Sequence, residues 1–157
     1  MATIQENIDY MIVNYNSGLV WAVRDNQPAV GNSIIQFNWV INPHQFNHRW
    51  NFVKVVGGWQ IRTSLKFGEL YAAIDKNRAS AENCAGINIY PSEGLTRQIW
   101  ALSSDQVGEW ISINNVNTQK CCNVLDASTA NSAYIIQYDC SAQASQRWMI
   151  VPYITGM

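Results

Sequence analysis

Short runs of alternating apolar and polar residues follow one another along the chain and recur three times in the same phase. Tyr10-Met11-Ile12-Val13, Trp59-Gln60-Ile61-Arg62 and Trp110-Ile111-Ser112-Ile113 each open a unit. Leu19 to Val23, Leu70 to Ile74 and Cys121 to Leu125 come next, and Ile34 to Phe37, Ile87 to Tyr90 and Ile135 to Tyr138 follow them. Each unit then closes on a tryptophan, in His48-Arg49-Trp50, Gln98-Ile99-Trp100 and Gln146-Arg147-Trp148. The closing tryptophans are 50 and 48 residues apart. Period-two alternation over a few residues is the signature of a half-buried strand. Self-similarity at a fixed long period marks a repeat architecture. Four runs in each of three units predict roughly twelve short strands and an all-β fold.

Turn residues fall between the runs, as in Asn16-Ser17-Gly18, Gly31-Asn32-Ser33, Gly57-Gly58 and Pro91-Ser92-Glu93-Gly94. Their even spacing suits a barrel. Three units are too few for a propeller, which needs at least four blades. The units should therefore close on themselves as a barrel capped by hairpins, one domain over 1–157 with repeats at about 8–56, 57–106 and 107–154. Trp50, Trp100 and Trp148 are the expected core layer, and Gln98 and Gln146 are expected to tie down a turn through their amides. No stretch carries a helical period beyond one turn, at 77–83.

Charged residues make up only 13% of the chain and the net charge is -1, so there is no electrostatic footprint for nucleic acid. No apolar run approaches the length of a membrane span, and membrane insertion is not expected. The first residues, Met1 to Asn7, lack the basic and apolar regions of a signal peptide, which predicts a cytoplasmic protein or one exported without a cleaved signal. The cysteines are Cys84, Cys121, Cys122 and Cys140, and the adjacent pair cannot supply the usual zinc spacing. Cys121 and Cys140 bracket a hairpin and are placed either to form a disulfide or to stay as buried thiols. His44 and His48 have a helical ligand spacing, but Pro43 opposes the helix, so no metal is expected. No nucleophile elbow or phosphate loop is present, and neither catalysis nor a cofactor is expected.

The third unit carries a fuller pattern. Lys120-Cys121-Cys122-Asn123-Val124, Ala127 to Ser132, Ile136-Gln137-Tyr138-Asp139-Cys140 and Ser145-Gln146-Arg147-Trp148 resemble the ricin-B-type lectin repeat. The resemblance implies a β-trefoil and a carbohydrate-binding protein, most like the fungal lectins of this fold, that recognises galactose or N-acetylgalactosamine glycans. In such a repeat an aspartate accepts from two sugar hydroxyls, an aromatic ring stacks on the sugar's apolar face, and an asparagine before the Gln-x-Trp donates to a hydroxyl.

Carried onto this chain, the third repeat offers Asn123 at the aspartate position, Tyr138 as the ring with Asp139 beside it, and Ser145 at the asparagine position. The second has Ala73, Tyr90 and Arg97, and the first has Ala22, Phe37 and Asn47. No repeat holds the full set. The first is the best candidate, because Phe37-Asn38-Trp39 precede a long loop, Val40 to His48, and Asp25 lies three residues past the lost aspartate. Useful avidity implies two or more sites, in one chain or across a homodimer. The rival expectation is a trefoil protease inhibitor or protein-interaction module that presents the Val40 to His48 loop. A third, the sugar-binding module of a larger enzyme, is less favoured because the chain ends soon after its last repeat.

Overall fold

The computed structural model describes residues 2–39, 44–65, 69–76 and 81–153. Thirteen strands form among them, all paired antiparallel. The first repeat contains β1 (Tyr10–Asn14), β2 (Val20–Val23), β3 (Ile34–Phe37) and β4 (Trp50–Val55). The second contains β5 (Gly58–Thr63), β6 (Leu70–Ile74), β7 (Ile87–Pro91) and β8 (Trp100–Leu102). The third contains β9 (Trp110–Ile111), β10 (Ile113–Asn115), β11 (Cys121–Val124), β12 (Ile135–Tyr138) and β13 (Trp148–Pro152). The extra strand arises because the opening strand of the third repeat is interrupted at Ser112.

The first and last strands of each repeat make the barrel. Pairing runs from β1 to β4, β5, β8 and β10, and returns from β9 through β13 to β1, so the ring closes across the interruption. A closed ring leaves no exposed barrel edge. The middle strands form hairpins, β2 with β3, β6 with β7 and β11 with β12, which cap one end. Single bridges join the hairpins to one another: Ser33 to Asn88, Ile35 to Tyr134 and Gly86 to Ile136. This is a β-trefoil.

The three closing tryptophans are fully buried, and each indole N–H donates to a hairpin carbonyl. Trp50 donates to Trp21 O at 2.9 Å, Trp100 to Ala72 O at 3.0 Å and Trp148 to Cys122 O at 3.1 Å. These acceptors occupy the same position in their hairpins, so each barrel strand is pinned to its own cap. Trp21 is the asymmetric element. It stands where the other two repeats have Ala72 and Cys122, and its ring meets Trp50 and Trp148 edge-on at 5.6 and 5.9 Å. The glutamines do tie turns. Gln98 donates to Pro91 O and accepts from Glu93 N, while Gln146 donates to Asp139 O and accepts from Ser141 N. In the first repeat His48 takes the glutamine's place, buried with its Nδ1 3.3 Å from Asn47 Oδ1.

Of the single helical turn predicted at 77–83, residues 77–80 lie outside the described residues, and 81–83 form turn structure. Cys121 and Cys140 are joined in a disulfide, which settles the choice left open by their spacing. Cys84 and Cys122 are free. Burial pushes the Cys122 thiol well above its usual range, so it stays protonated and inert, whereas Cys84 is half-exposed. Alkylation of the native, unreduced protein followed by peptide mapping is expected to label Cys84 and spare Cys122. Comparable labelling of Cys122 would mean that the third hairpin opens readily.

Candidate glycan-binding depressions

The β2 and β11 strands end in matching tight turns, Arg24–Asn26 and Leu125–Ala127. Both turns pass through left-handed backbone, with φ of 54° at Asp25 and 57° at Asp126. Aspartate tolerates that region better than most residues because its short side chain bonds locally. The turn lifts each carboxylate to the rim of a hollow bordered by the ring that follows in the hairpin. Phe37 pairs across the hairpin with Val20, and Tyr138 pairs with Cys121. Both rings are about two-fifths exposed.

The first hollow has a volume of about 380 Å³ and is lined by Arg24, Asp25, Asn26, Phe37, Asn47 and Ser132 over a floor of Ala22 and Ile35. Asn47 is held there by the end of β2, since Val23 N donates to its carbonyl at 2.8 Å. The Asp25 carboxylate is largely exposed, 3.7 Å from Arg24 Nε, and its oxygens face solvent as acceptors. The third-repeat hollow, about 210 Å³, is lined by Asn123, Asp126, Tyr138, Gln143 and Cys84. Asn123 accepts from Val124 N through Oδ1 at 2.9 Å, and its amide N–H groups have no partner among the described residues. Each hollow lies between repeats: Ser132 of the third borders the first, and Cys84 of the second borders the third. Gln36 and Gln137 fix this seam. Gln36 Nε2 donates to Ser128 O and Ala130 O, and Gln137 Nε2 donates to Glu82 O.

The second repeat is built differently at the same place. Lys76 occupies the position of Asp25 and Asp126, and its ammonium lies 4.8 Å from the centroid of Tyr90. It also pairs with Glu93. Tyr90 is only 5% exposed, and Lys76 N donates to its hydroxyl at 3.2 Å. The ring expected to receive a sugar is thus covered by the chain's own side chain.

Three further expectations need correction. Ser145 is 2% exposed, and its hydroxyl lacks a partner among the described residues; it packs beneath the turn and does not reach the third hollow. Gln143, two residues earlier, lines the hollow instead. Asp139 is not among the residues that line it. One carboxylate oxygen accepts from Lys120 Nζ at 2.6 Å and the other from Asn83 Nδ2 at 3.0 Å, so both are engaged in a clasp. Those two bonds, Lys120 first, hold its carboxyl below the usual range. Trp39 is 46% exposed but borders neither hollow, while Asn38 borders a smaller one beside the first. Val40 to Pro43, the front of the long loop, lie outside the described residues.

Asp126 lines the third-repeat hollow although the lectin repeat pattern assigns it no role. Its signal was present, since it follows Asn123 by the same three positions that separate Asp25 from Ala22. Ser132 and Cys84 carried no such signal, because each serves the hollow of a different repeat. Among the described residues no group of three His, Cys, Asp or Glu side chains is arranged to hold a metal.

The sequence pattern of the ricin-type β-trefoil lectin domain-like family matches residues 47–138 and 96–156, well over half the chain. The chain belongs to that family. No curated protein is close enough in sequence to match it. Among solved structures, this lectin-like trefoil is similar to part of the Clostridium thermocellum exo-β-1,3-galactanase. The two are 25% identical with a TM-score of 0.81, over 95% of this chain and 31% of the galactanase. It is also similar to ThreeFoil, a designed three-fold symmetric protein, at 22% identity and TM-score 0.77, over 91% of this chain and 97% of that one. The Macrolepiota procera ricin B-like lectin, solved with lactose, shares the fold at 16% identity and TM-score 0.76, over 96% of this chain and 99% of its own.

Proposed function

We propose that the protein is a non-catalytic lectin that captures galactose- or N-acetylgalactosamine-type glycans in the first- and third-repeat hollows. The observation that carries this reading is the repetition of one chemical set at two related places. Each hollow presents a left-handed-turn aspartate, a half-exposed ring and an amide. A pyranose has one C–H face for a ring and an edge of hydroxyls that need acceptors and donors together. Asp25 with Asn47, and Asp126 with Asn123, supply them. The lactose bound by the Macrolepiota lectin supports a galactose-type ligand.

One shallow pocket of this kind reaches about millimolar affinity, roughly -4 kcal/mol. Two on one rigid barrel give avidity toward a glycan-dense surface, and a homodimer would add to it. Agglutination follows from such bivalence, and a defensive role of the fungal-lectin kind is part of the proposal.

A glycan array probed with the untagged protein, with Phe37→Ala and with Tyr138→Ala tests the reading. Galactose-terminated glycans should retain the protein, and each variant should weaken retention, with roughly a tenfold loss at its own site, about 1.4 kcal/mol. Folded protein that binds no glycan on the array would overturn the proposal.

A further inference from the structure

One backbone construction brings a residue of a neighbouring repeat beside each ring. Gly31, Cys84 and Ser132 all lie in left-handed backbone, with φ of 85°, 69° and 72°. Each donates its N–H to the carbonyl of the residue just before a ring: Gly31 to Ile89 at 2.7 Å, Cys84 to Gln137 at 2.9 Å and Ser132 to Gln36 at 2.8 Å. The preceding asparagines, Asn83 and Asn131, fasten the last two segments further, accepting from Asp139 N and Asn38 N at 3.0 Å. The residue placed this way is a serine in the first hollow and a cysteine in the third. Cys84 is free and half-exposed, whereas Cys122 is buried and the other two cysteines are joined. A second group in the third hollow lacks a partner. Asn123 is 6% exposed and lies across the hairpin from Ile136, which also lines the hollow. Its Oδ1 is taken by Val124 N, while its amide nitrogen has no partner among the described residues and is left open to the hollow.

We infer that Cys84 is a modification site, at which a small peptide thiol is captured as a mixed disulfide that fills the third-repeat hollow. The Cys84 thiol gives up its proton, and the thiolate attacks one sulfur of a low-molecular-weight peptide disulfide. A new S–S bond forms as the old one breaks, and the released thiolate takes up a proton. That disulfide is the oxidant, and an excess of the free small thiol reverses the step. Inside the hollow a carbonyl oxygen of the bound peptide accepts from the Asn123 amide, which satisfies a donor otherwise buried without a partner. The consequence for glycans rests on the lectin reading above. The adduct leaves only the first hollow open, so an oxidised small-thiol pool removes the avidity that the pair provides.

The test begins with native protein incubated with glutathione disulfide. Intact mass and peptide mapping should show one adduct, on Cys84, that reduced glutathione removes. The amides of Asn123, Asp126 and Tyr138 should shift, and methyl β-galactoside should bind the third hollow about tenfold more weakly or not at all, with the first unchanged. Asn123→Ala, its folding checked by melting temperature, should lower the equilibrium constant for adduct formation about fivefold, the effect of one hydrogen bond. Cys84→Ser should take no adduct, and Ser132→Cys added to it should move both adduct and block to the first hollow. The inference is overturned if no adduct forms on Cys84, or if the adduct leaves those three amides unmoved. It is also overturned if Asn123→Ala does not alter the constant, or if the adduct leaves galactoside binding at the third hollow intact. The expected adduct and shifts in a protein that binds no galactoside would uphold the modification site and overturn the lectin reading alone.

Discussion

Replacing Trp148 with alanine is expected to lower the unfolding free energy by about 4 kcal/mol, within the range for deleting a large buried aromatic. The side chain is fully buried, it meets Trp21 edge-on, and its N–H donates to Cys122 O. Its removal leaves a cavity and also frees a buried carbonyl, and both costs add to the lost burial. Domains of this size are stable by only about 5–15 kcal/mol, so the variant should stand near the edge of folding. Trp39→Ala is the control. That ring is 46% exposed, and its loss should cost no more than about 0.5 kcal/mol. Urea unfolding followed by circular dichroism measures both. A loss below about 1 kcal/mol for Trp148→Ala would mean that the tryptophan layer does not hold barrel to cap.

The Cys121–Cys140 bond should contribute the next largest share. It closes a loop with a sequence separation of 19, for which chain entropy predicts about 3 kcal/mol. Cys121 faces Tyr138 across the hairpin, and Cys140 lies two residues beyond that ring. A Cys121→Ser, Cys140→Ser double variant should therefore lose stability and also loosen the third-repeat hollow, leaving the first unchanged. Galactoside titration of this variant beside the parent separates the two effects. The Lys120–Asp139 clasp keeps part of the hairpin in register without the bond. Because its folded pKa is lowered, Asp139 contributes stability above the ordinary carboxylate range and loses it as pH falls through the lowered value. The side chain is well exposed, so that contribution is small. Equal stability with and without the disulfide would contradict the entropic argument.

The barrel was legible in the sequence because its determinants are periodic. Strand alternation and one tryptophan per repeat are imposed by a three-fold core. The interruption at Ser112 was not legible, since the alternating run passes through it unbroken. The lining of the candidate hollows was half legible. Phe37, Asn47 and Tyr138 could be placed by register, and Asp25 by its offset in the turn. Asp126 has that same offset, but the repeat pattern places the acceptor at Asn123 and not in the turn. Tyr90 looked available because a covering side chain is a tertiary fact, and Lys76 lies fourteen positions away in sequence. Ser145 and Asp139 were misplaced for a related reason. A repeat pattern gives the strand and the phase, but not which short polar side chain turns under the chain or finds a lysine. Ser132 and Cys84 border hollows of neighbouring repeats, so only the closed ring could bring them there.

The most direct test is a two-dimensional amide NMR titration of the ¹⁵N-labelled protein with methyl β-galactoside into the tens-of-millimolar range, roughly ten times the expected dissociation constant. Saturating shifts should cluster at 22–26, 37 and 47, and again at 123–126 and 138, while the amides around Lys76 and Tyr90 stay still. Absence of saturable shifts, or shifts centred on Tyr90, would contradict the assignment of two open sites and one closed by its own lysine.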